Sequence, residues 1–224
     1  MVPEHNFNLN STGRVLGMFA KWPEPGKAKT RLAAQIGMTN ALMIANAMLR
    51  DSLVRFAIPN TERILCFTPA HQKDAFQSIA GNHWKLQEQS HGDLGQRLDH
   101  YFQDHTRKFT LVIGSDSPSL PIDFIQSAFQ ELQKCDLVIG PSSDGGFYLL
   151  GLKDHHKDLL HGIEWSTEKV LGRLLQNAKL LKLSSYILAK WHDIDTREDL
   201  EKLKDCKDLL HCQAALQWLA NHAS

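Results

Sequence analysis

Four cations crowd one short stretch of the chain. Lys21, Lys27, Lys29 and Arg31 fall within the eleven residues K-W-P-E-P-G-K-A-K-T-R. Cationic side chains and free backbone amides are what a di- or triphosphate requires of a binding loop. Gly26 lets the backbone turn or approach such a ligand closely. On composition alone the same stretch also reads as a solvated basic loop. It is not a Walker A loop, which needs glycine where Lys21 stands and serine or threonine where Ala28 stands. No G-x-G-x-x-G occurs, so a Rossmann dinucleotide site has no support.

Three further segments carry chemistry. In G-S-D-S-P-S-L, Gly114 to Leu120, an apolar run delivers Asp116 to a turn. A carboxylate at a strand end can hold Mg²⁺ or Mn²⁺ against a phosphate, since Mg²⁺ takes one or two protein carboxylates and fills its shell with phosphate and water oxygens. It can equally close a turn. In G-P-S-S-D-G-G-F-Y, Gly145 and Gly146 free the backbone beside Asp144 for contact with a sugar or acceptor, or simply join two strands. In H-D-I-D-T-R-E-D-L, Asp193 and Asp195 precede a helical pattern, where Asp195 also reads as a cap. Trp165-Ser166-Thr167 suits either a pocket wall or the core.

Other chemistries find no footing. The twelve histidines show no metal spacing, and the adjacent His155 and His156 read as solvated. There is no Ser-His-Asp or Cys-His arrangement. Four cysteines without a C-x-x-C pair fit reduced thiols rather than a disulfide framework. Lys plus Arg equals Asp plus Glu at 25 each, which speaks against a nucleic-acid partner. The apolar stretch Val15 to Ala20 is too short for a membrane span or a signal-peptide core, so the expected location is cytoplasmic.

These residues need elements to position them. Strand-like runs cover Val15 to Lys21, Arg63 to Thr68, Trp84 to Glu88, Phe109 to Gly114, Asp136 to Gly140, Gly146 to Leu152 and Tyr186 to Trp191. Between them, apolar residues recur at steps of three and four, as in Leu42, Ala45, Met48, Leu49, Leu53 and Phe56, which predicts a helix from Thr39 to Phe56. Further helices are expected over 71–79, 94–105, 121–133, 167–178 behind a Ser166 cap, 196–203 behind a cap-like Asp195, and 209–221. The alternation predicts an α/β protein whose mostly parallel sheet is covered on both faces. Residues 1–14 read as a polar, frayed tail and 15–224 as one domain.

Taken in order, FAKWPEPGKAKTRL, GDLGQRL (Gly92 to Leu98), IGSDSPSL, IGPSSDGGFYLLGL, EWST and DIDTREDL resemble a bacterial family of glycosyltransferases with the GT-A fold, within the nucleotide-diphospho-sugar transferase superfamily. The resemblance spans about Val15 to Leu203. It implies a single three-layer, Rossmann-like α/β/α domain with a mixed sheet containing one antiparallel strand. It places Lys21, Gly26, Lys27, Lys29 and Arg31 at nucleotide phosphates, and Gly92, Asp93, Leu94, Gly95 and Arg97 near the base or ribose. Asp116, Lys29 and Asp144 become the implied catalytic residues. Asp144, Gly145, Gly146 and Trp165 become the acceptor or sugar side. Asp116 and Asp195 become ligands of Mg²⁺ or Mn²⁺; Arg197 stands where the family pattern has proline, and Asp193 competes with Asp195. The implied activity is transfer of a sugar from a nucleotide-sugar donor to a small-molecule acceptor. The alternatives are nucleotidyl transfer from an NTP to a phosphorylated small molecule with release of pyrophosphate, and a non-catalytic nucleotide-binding protein. The sequence names no base, sugar, acceptor or oligomeric state.

Overall fold

The hydrophobic run after the N-terminal tail becomes the middle of the protein. In the computed structural model, which describes residues 13–221, strand β1 (Arg14–Lys21) pairs in parallel with both β2 (Glu62–Thr68) and β4 (Phe109–Gly114). A strand with parallel neighbours on both sides is covered on both faces, which explains its near-continuous apolar sequence. β3 (Lys85–Glu88) extends the sheet beyond β2. On the other flank, β6 (Phe147–Leu152) runs antiparallel to both β4 and β5 (Leu137–Pro141), and β7 (Ser185–Ile187) pairs in parallel with β5. The seven-stranded order is β3-β2-β1-β4-β6-β5-β7. β6 is thus the single antiparallel strand of a mostly parallel mixed sheet.

Alternation along the strands divides the core by face. Leu111 and Ile113 of β4 point to one side, where α2 (Met38–Arg55), α3 (Lys73–Ala80) and α5 (Ile122–Glu131) cover them with Leu49, Leu53, Phe76, Ile125 and Phe129. Val112 points to the other, under Leu98 and Phe102 of α4 (Leu94–Asp104) and Leu174 of α6 (Val170–Leu180). This is the three-layer arrangement that the sequence implied. A third apolar cluster lies outside those layers. There α1 (Thr30–Ile36), α7 (Arg197–Lys204) and α8 (Leu210–Asn221) pack on the outward side of α2 through Leu32, Ile44, Leu200, Leu203 and Cys212. The buried carboxylate of Asp51 on α2 receives the amides of His211 and Cys212, at 3.1 and 2.8 Å, and so fastens the first turn of α8.

Several local expectations need correcting. The helix expected behind Ser166 starts at Val170, and Ser166 itself sits in the left-handed region at φ 63° in the preceding loop. The helix expected behind Asp195 is capped by Thr196 instead, whose hydroxyl accepts from the amide of Asp199 at 3.2 Å. α1 had no sequence signal, being seven residues inside a basic stretch. The regular strand near the C-terminus ends at Ile187, and only an isolated bridge from Ser142 to Trp191 continues it. His155 is not solvated: its Nε2 lies 2.7 Å from Asp99 Oδ1. The four cysteines are free thiols. Of the tail read as frayed, residues 1–12 lie outside the described residues, while Arg14 already belongs to β1. Among the described residues, no helix is long and apolar enough to cross a membrane.

Candidate active site

β1 and β4 are neighbours whose chains leave in opposite directions across the sheet. Crevices of this kind, at the carboxyl ends of strands, are where open α/β sheets bind ligands. Both ends carry charged loops here. After β1, the amide of Trp22 donates to Thr68 O at 2.8 Å, and Gly26 takes φ +73° in the turn that reverses the chain. Lys29 then stands at the N-cap of α1 with φ 46° and ψ 53°, a left-handed conformation that costs a side-chain-bearing residue energy. Its side chain is only 7% exposed.

The Lys29 ammonium meets two carboxylates. Its Nζ lies 3.0 Å from Asp116 Oδ1, beyond β4, and 3.0 Å from Asp195 Oδ1, ahead of α7. Burial alone would lower the lysine pKa, yet the two carboxylates outweigh it and raise the pKa, so Lys29 stays charged. The two acidic loops are also stitched through the backbone. The amide of Ile194 donates to Asp116 O at 3.1 Å, and Ser117 Oγ donates to His192 O at 3.0 Å. Because Thr196 serves as the helix cap, the Asp195 carboxylate is left to face Lys29, with Arg31 Nη2 3.4 Å from its other oxygen. Asp193 bonds instead to Ser117 Oγ. Burial, with the charges of Asp116 and Asp195 adding to it, pushes Asp193 up to about 6 against the pull of Ser117 and Lys29.

Around this cluster opens a cavity of about 410 Å³. Lys21, Lys27, Lys29, Arg31 and Arg97 supply its cations, and Asp116 and Asp195 its acids. Gly26, Gly92, Asp93 and Gly95 do not reach its wall. Asp93 caps α4 in a reciprocal box with Gln96, at 2.9 and 3.0 Å, so its carboxylate is spent on the helix. The Gly92 carbonyl holds Arg97 Nε at 2.9 Å, while Gln89 Oε1 takes Arg97 Nη1 at 3.2 Å. Gln89 in turn donates to Cys66 O at 2.7 Å. Gln89 and Trp22 line the cavity and had no sequence signal, since neither residue type in a loop announces a ligand.

A second cavity of about 490 Å³ adjoins the first across Arg31 and Leu94, which line both. Asp144, Gly146, Phe147 and Trp165 belong to it. Gly145 lies behind the wall at φ +90°, so close to Glu168 that an added Cβ would stand 2.5 Å from a backbone oxygen. Gly95 plays the matching part on α4, where a Cβ would come within 2.6 Å of the Trp165 indole nitrogen. The Gly92–Arg97 segment and the loop around Trp165 therefore touch with no space between them. Burial would raise the pKa of Asp144, but the Ser142 hydroxyl and the amide of Gly146 at 3.1 Å outweigh it, and the nearby Arg31 adds to them; the carboxylate is held below its usual range. A smaller cavity of about 210 Å³ lies between the Asp144 loop and the Asp193–Asp195 loop, past His192 and Asp199.

This fold is that of the nucleotide-diphospho-sugar transferases. The chain is 30% identical to a protein from Desulfovibrio desulfuricans G20 provisionally named as one, with 93% of this chain and 96% of that chain covered at a TM-score of 0.85. Residues 53–167 match the bacterial family DUF2064, described as an uncharacterized protein conserved in bacteria, and the chain belongs to that family. More distant solved structures share the fold. They include a 4-diphosphocytidyl-2C-methyl-D-erythritol synthase from Anaerococcus prevotii (11% identity, 92% and 99% coverage, TM-score 0.55) and a cytidylyltransferase from Leptospira borgpetersenii (14% identity, 94% and 94% coverage, TM-score 0.52). No curated protein matches the sequence.

Proposed function

We propose that the protein is a divalent-metal-dependent glycosyltransferase, which moves a sugar from a nucleoside-diphosphate donor to a small-molecule acceptor. One observation carries this reading: the Lys29–Asp116–Asp195 cluster forms the floor of a cation-lined cavity that opens, past Arg31, into a second cavity walled by Trp165 and Phe147. The first suits a diphosphate, and the second suits a ring with an apolar face and hydroxyl edges.

In this reading Lys21, Lys27 and Arg97 hold the phosphates, and Arg31 faces the point where the donor ends and the acceptor begins. As the bond to the sugar C1 breaks, negative charge grows on the departing diphosphate. Fixed cations that need no reorganisation stabilise that charge most effectively. Asp144, kept ionised, orients an acceptor hydroxyl and accepts its proton. Among the described residues, no group of three or more His, Cys, Asp or Glu side chains is arranged to hold a metal. Asp116 and Asp195 nonetheless converge on one cation through hard oxygen donors, which fits an ion that draws the rest of its shell from phosphate and water. They would hold Mg²⁺ or Mn²⁺, which would supply Lewis-acid stabilisation of the leaving group.

The five cationic side chains around the first cavity favour a second reading, nucleotidyl transfer from a triphosphate. The test is a thermal-shift panel of nucleotide sugars and NTPs, each with Mg²⁺, Mn²⁺ or chelator. A ligand bound only by the native state raises the melting temperature. Metal-dependent stabilisation by one nucleotide sugar supports glycosyl transfer, an NTP response alone supports nucleotidyl transfer, and silence from all of them removes both.

A further inference from the structure

The two adjoining cavities differ in charge. The first has five cations against two carboxylates. The second has Asp144, Glu168 and Asp193 in its wall and a single cation, Arg31. That cation is engaged with Asp195 and lines the first cavity as well, so it belongs to the boundary between them. The rest of the second wall is uncharged and of two kinds. The hydroxyls of Ser142, Ser166 and Thr167 give hydrogen-bonding edges, and Trp165 with Phe147, edge to face at 6.4 Å and 82°, gives an aromatic surface. Aromatic faces attract both C–H surfaces and cations. Carboxylates that outnumber the cations beside them repel an anionic ligand, and repulsion of the wrong ligand is as much a part of specificity as attraction of the right one.

We propose that the second cavity receives the acceptor as an uncharged or amine-bearing polyhydroxylated ring and rejects its phosphorylated or carboxylated counterparts. The inference rests on the transferase reading above and narrows it. Asp144 and Glu168 accept from ring hydroxyls or an ammonium, and the face of the ring lies on the aromatic wall. A phosphate brought to the same place meets Asp144 and Glu168 with only Arg31 to offset them.

The experiment uses the full chain with Mg²⁺ and whichever nucleoside diphosphate stabilises it most. Glucose, glucosamine and glucose 6-phosphate serve as probes, and binding is read by titration calorimetry. Glucose or glucosamine is expected to bind at least about tenfold more tightly than glucose 6-phosphate, a gap of roughly 1.4 kcal/mol. Glu168→Lys, at an exposed position, is expected to narrow that gap severalfold while nucleotide binding holds. A preference for glucose 6-phosphate, binding of none of the three, or a gap unchanged in Glu168→Lys would overturn the inference. Each of those outcomes leaves the transferase reading standing if nucleotides bind. Loss of the nucleotide response itself would instead remove the transferase reading.

Discussion

Lys29 and Asp195 are 166 residues apart in the chain and 3.0 Å apart in space. The lysine ammonium is buried, charged and shared with Asp116. Its removal leaves two carboxylates facing each other with only the exposed Arg31 nearby. Lys29→Met is therefore expected to weaken nucleotide binding by tenfold or more, since one charge-assisted contact is worth about 1.5–3 kcal/mol. Calorimetric titration at two salt concentrations checks this, and equal affinities for wild type and variant would sink it.

Asp116 presents a different case. Its side chain is 59% exposed, so Asp116→Asn should leave the melting temperature nearly unchanged. Turnover should fall by two orders of magnitude or more, the scale seen when a group that stabilises transition-state charge is lost. Full activity in a folded variant would show that the carboxylate has no catalytic part.

The contact between Gly95 and Trp165 makes a prediction about the acceptor side alone. Gly95→Ala must displace the indole, because the α4 backbone behind it is fixed by the Asp93 cap. The acceptor KM should rise severalfold while the Kd for nucleotide holds. A parallel rise in both would mean that the two cavities cannot be perturbed separately.

Tyr101 is buried, and its hydroxyl has no hydrogen-bond partner among the described residues. A buried hydroxyl without a partner costs about 1–3 kcal/mol of desolvation. Tyr101→Phe should thus be neutral or stabilising, by up to about 1 kcal/mol in urea unfolding. Destabilisation would reveal a partner for the hydroxyl in solution.

Glu62 supplies a pH signature. The hydrogen bond from Lys85, and then that from Lys108, depress its pKa despite partial burial. A folded-state pKa below the unfolded value of about 4.3 means that the contribution is complete above that value and fades as pH falls below it. Wild type should exceed Glu62→Gln by up to about 1 kcal/mol at neutral pH, the scale of a partly exposed ion pair. The two should converge in acid. A difference that stays constant from neutral to acid pH would contradict the assignment.

Much of this architecture was legible because it depends on local pattern. Phe109 to Gly114 is largely apolar and became a central strand; the helix expected from Thr39 to Phe56 became α2, Met38–Arg55, shifted by one residue at either end. The ordered motifs implied the mixed sheet with its single antiparallel strand. What stayed hidden was relational. Lys29 counted as one cation among four, and nothing nearby in sequence distinguishes it from Lys27, which ends in an exposed pair with Glu24. Its partners come from far along the chain, one just after the neighbouring strand β4 and the other ahead of α7. Asp195 read as the cap, and only the reciprocal bonding of Thr196 with Asp199 shows that the cap lies one residue later. Gln89 reached the cavity because β3 ends there, a fact of strand register rather than residue type.

The clasp of Asp51 on His211 and Cys212 ties assembly to the order of synthesis. α2 leaves the ribosome early, with its outer apolar face and one buried carboxylate still lacking their partners. Those partners arrive some 160 residues later, with the first turn of α8. Until α7 and α8 are made, Ile44 and Ala47 on the outer side of α2 lack the cover that those helices give them. A truncation before His211 would remove the clasp and leave that side of α2 without α8.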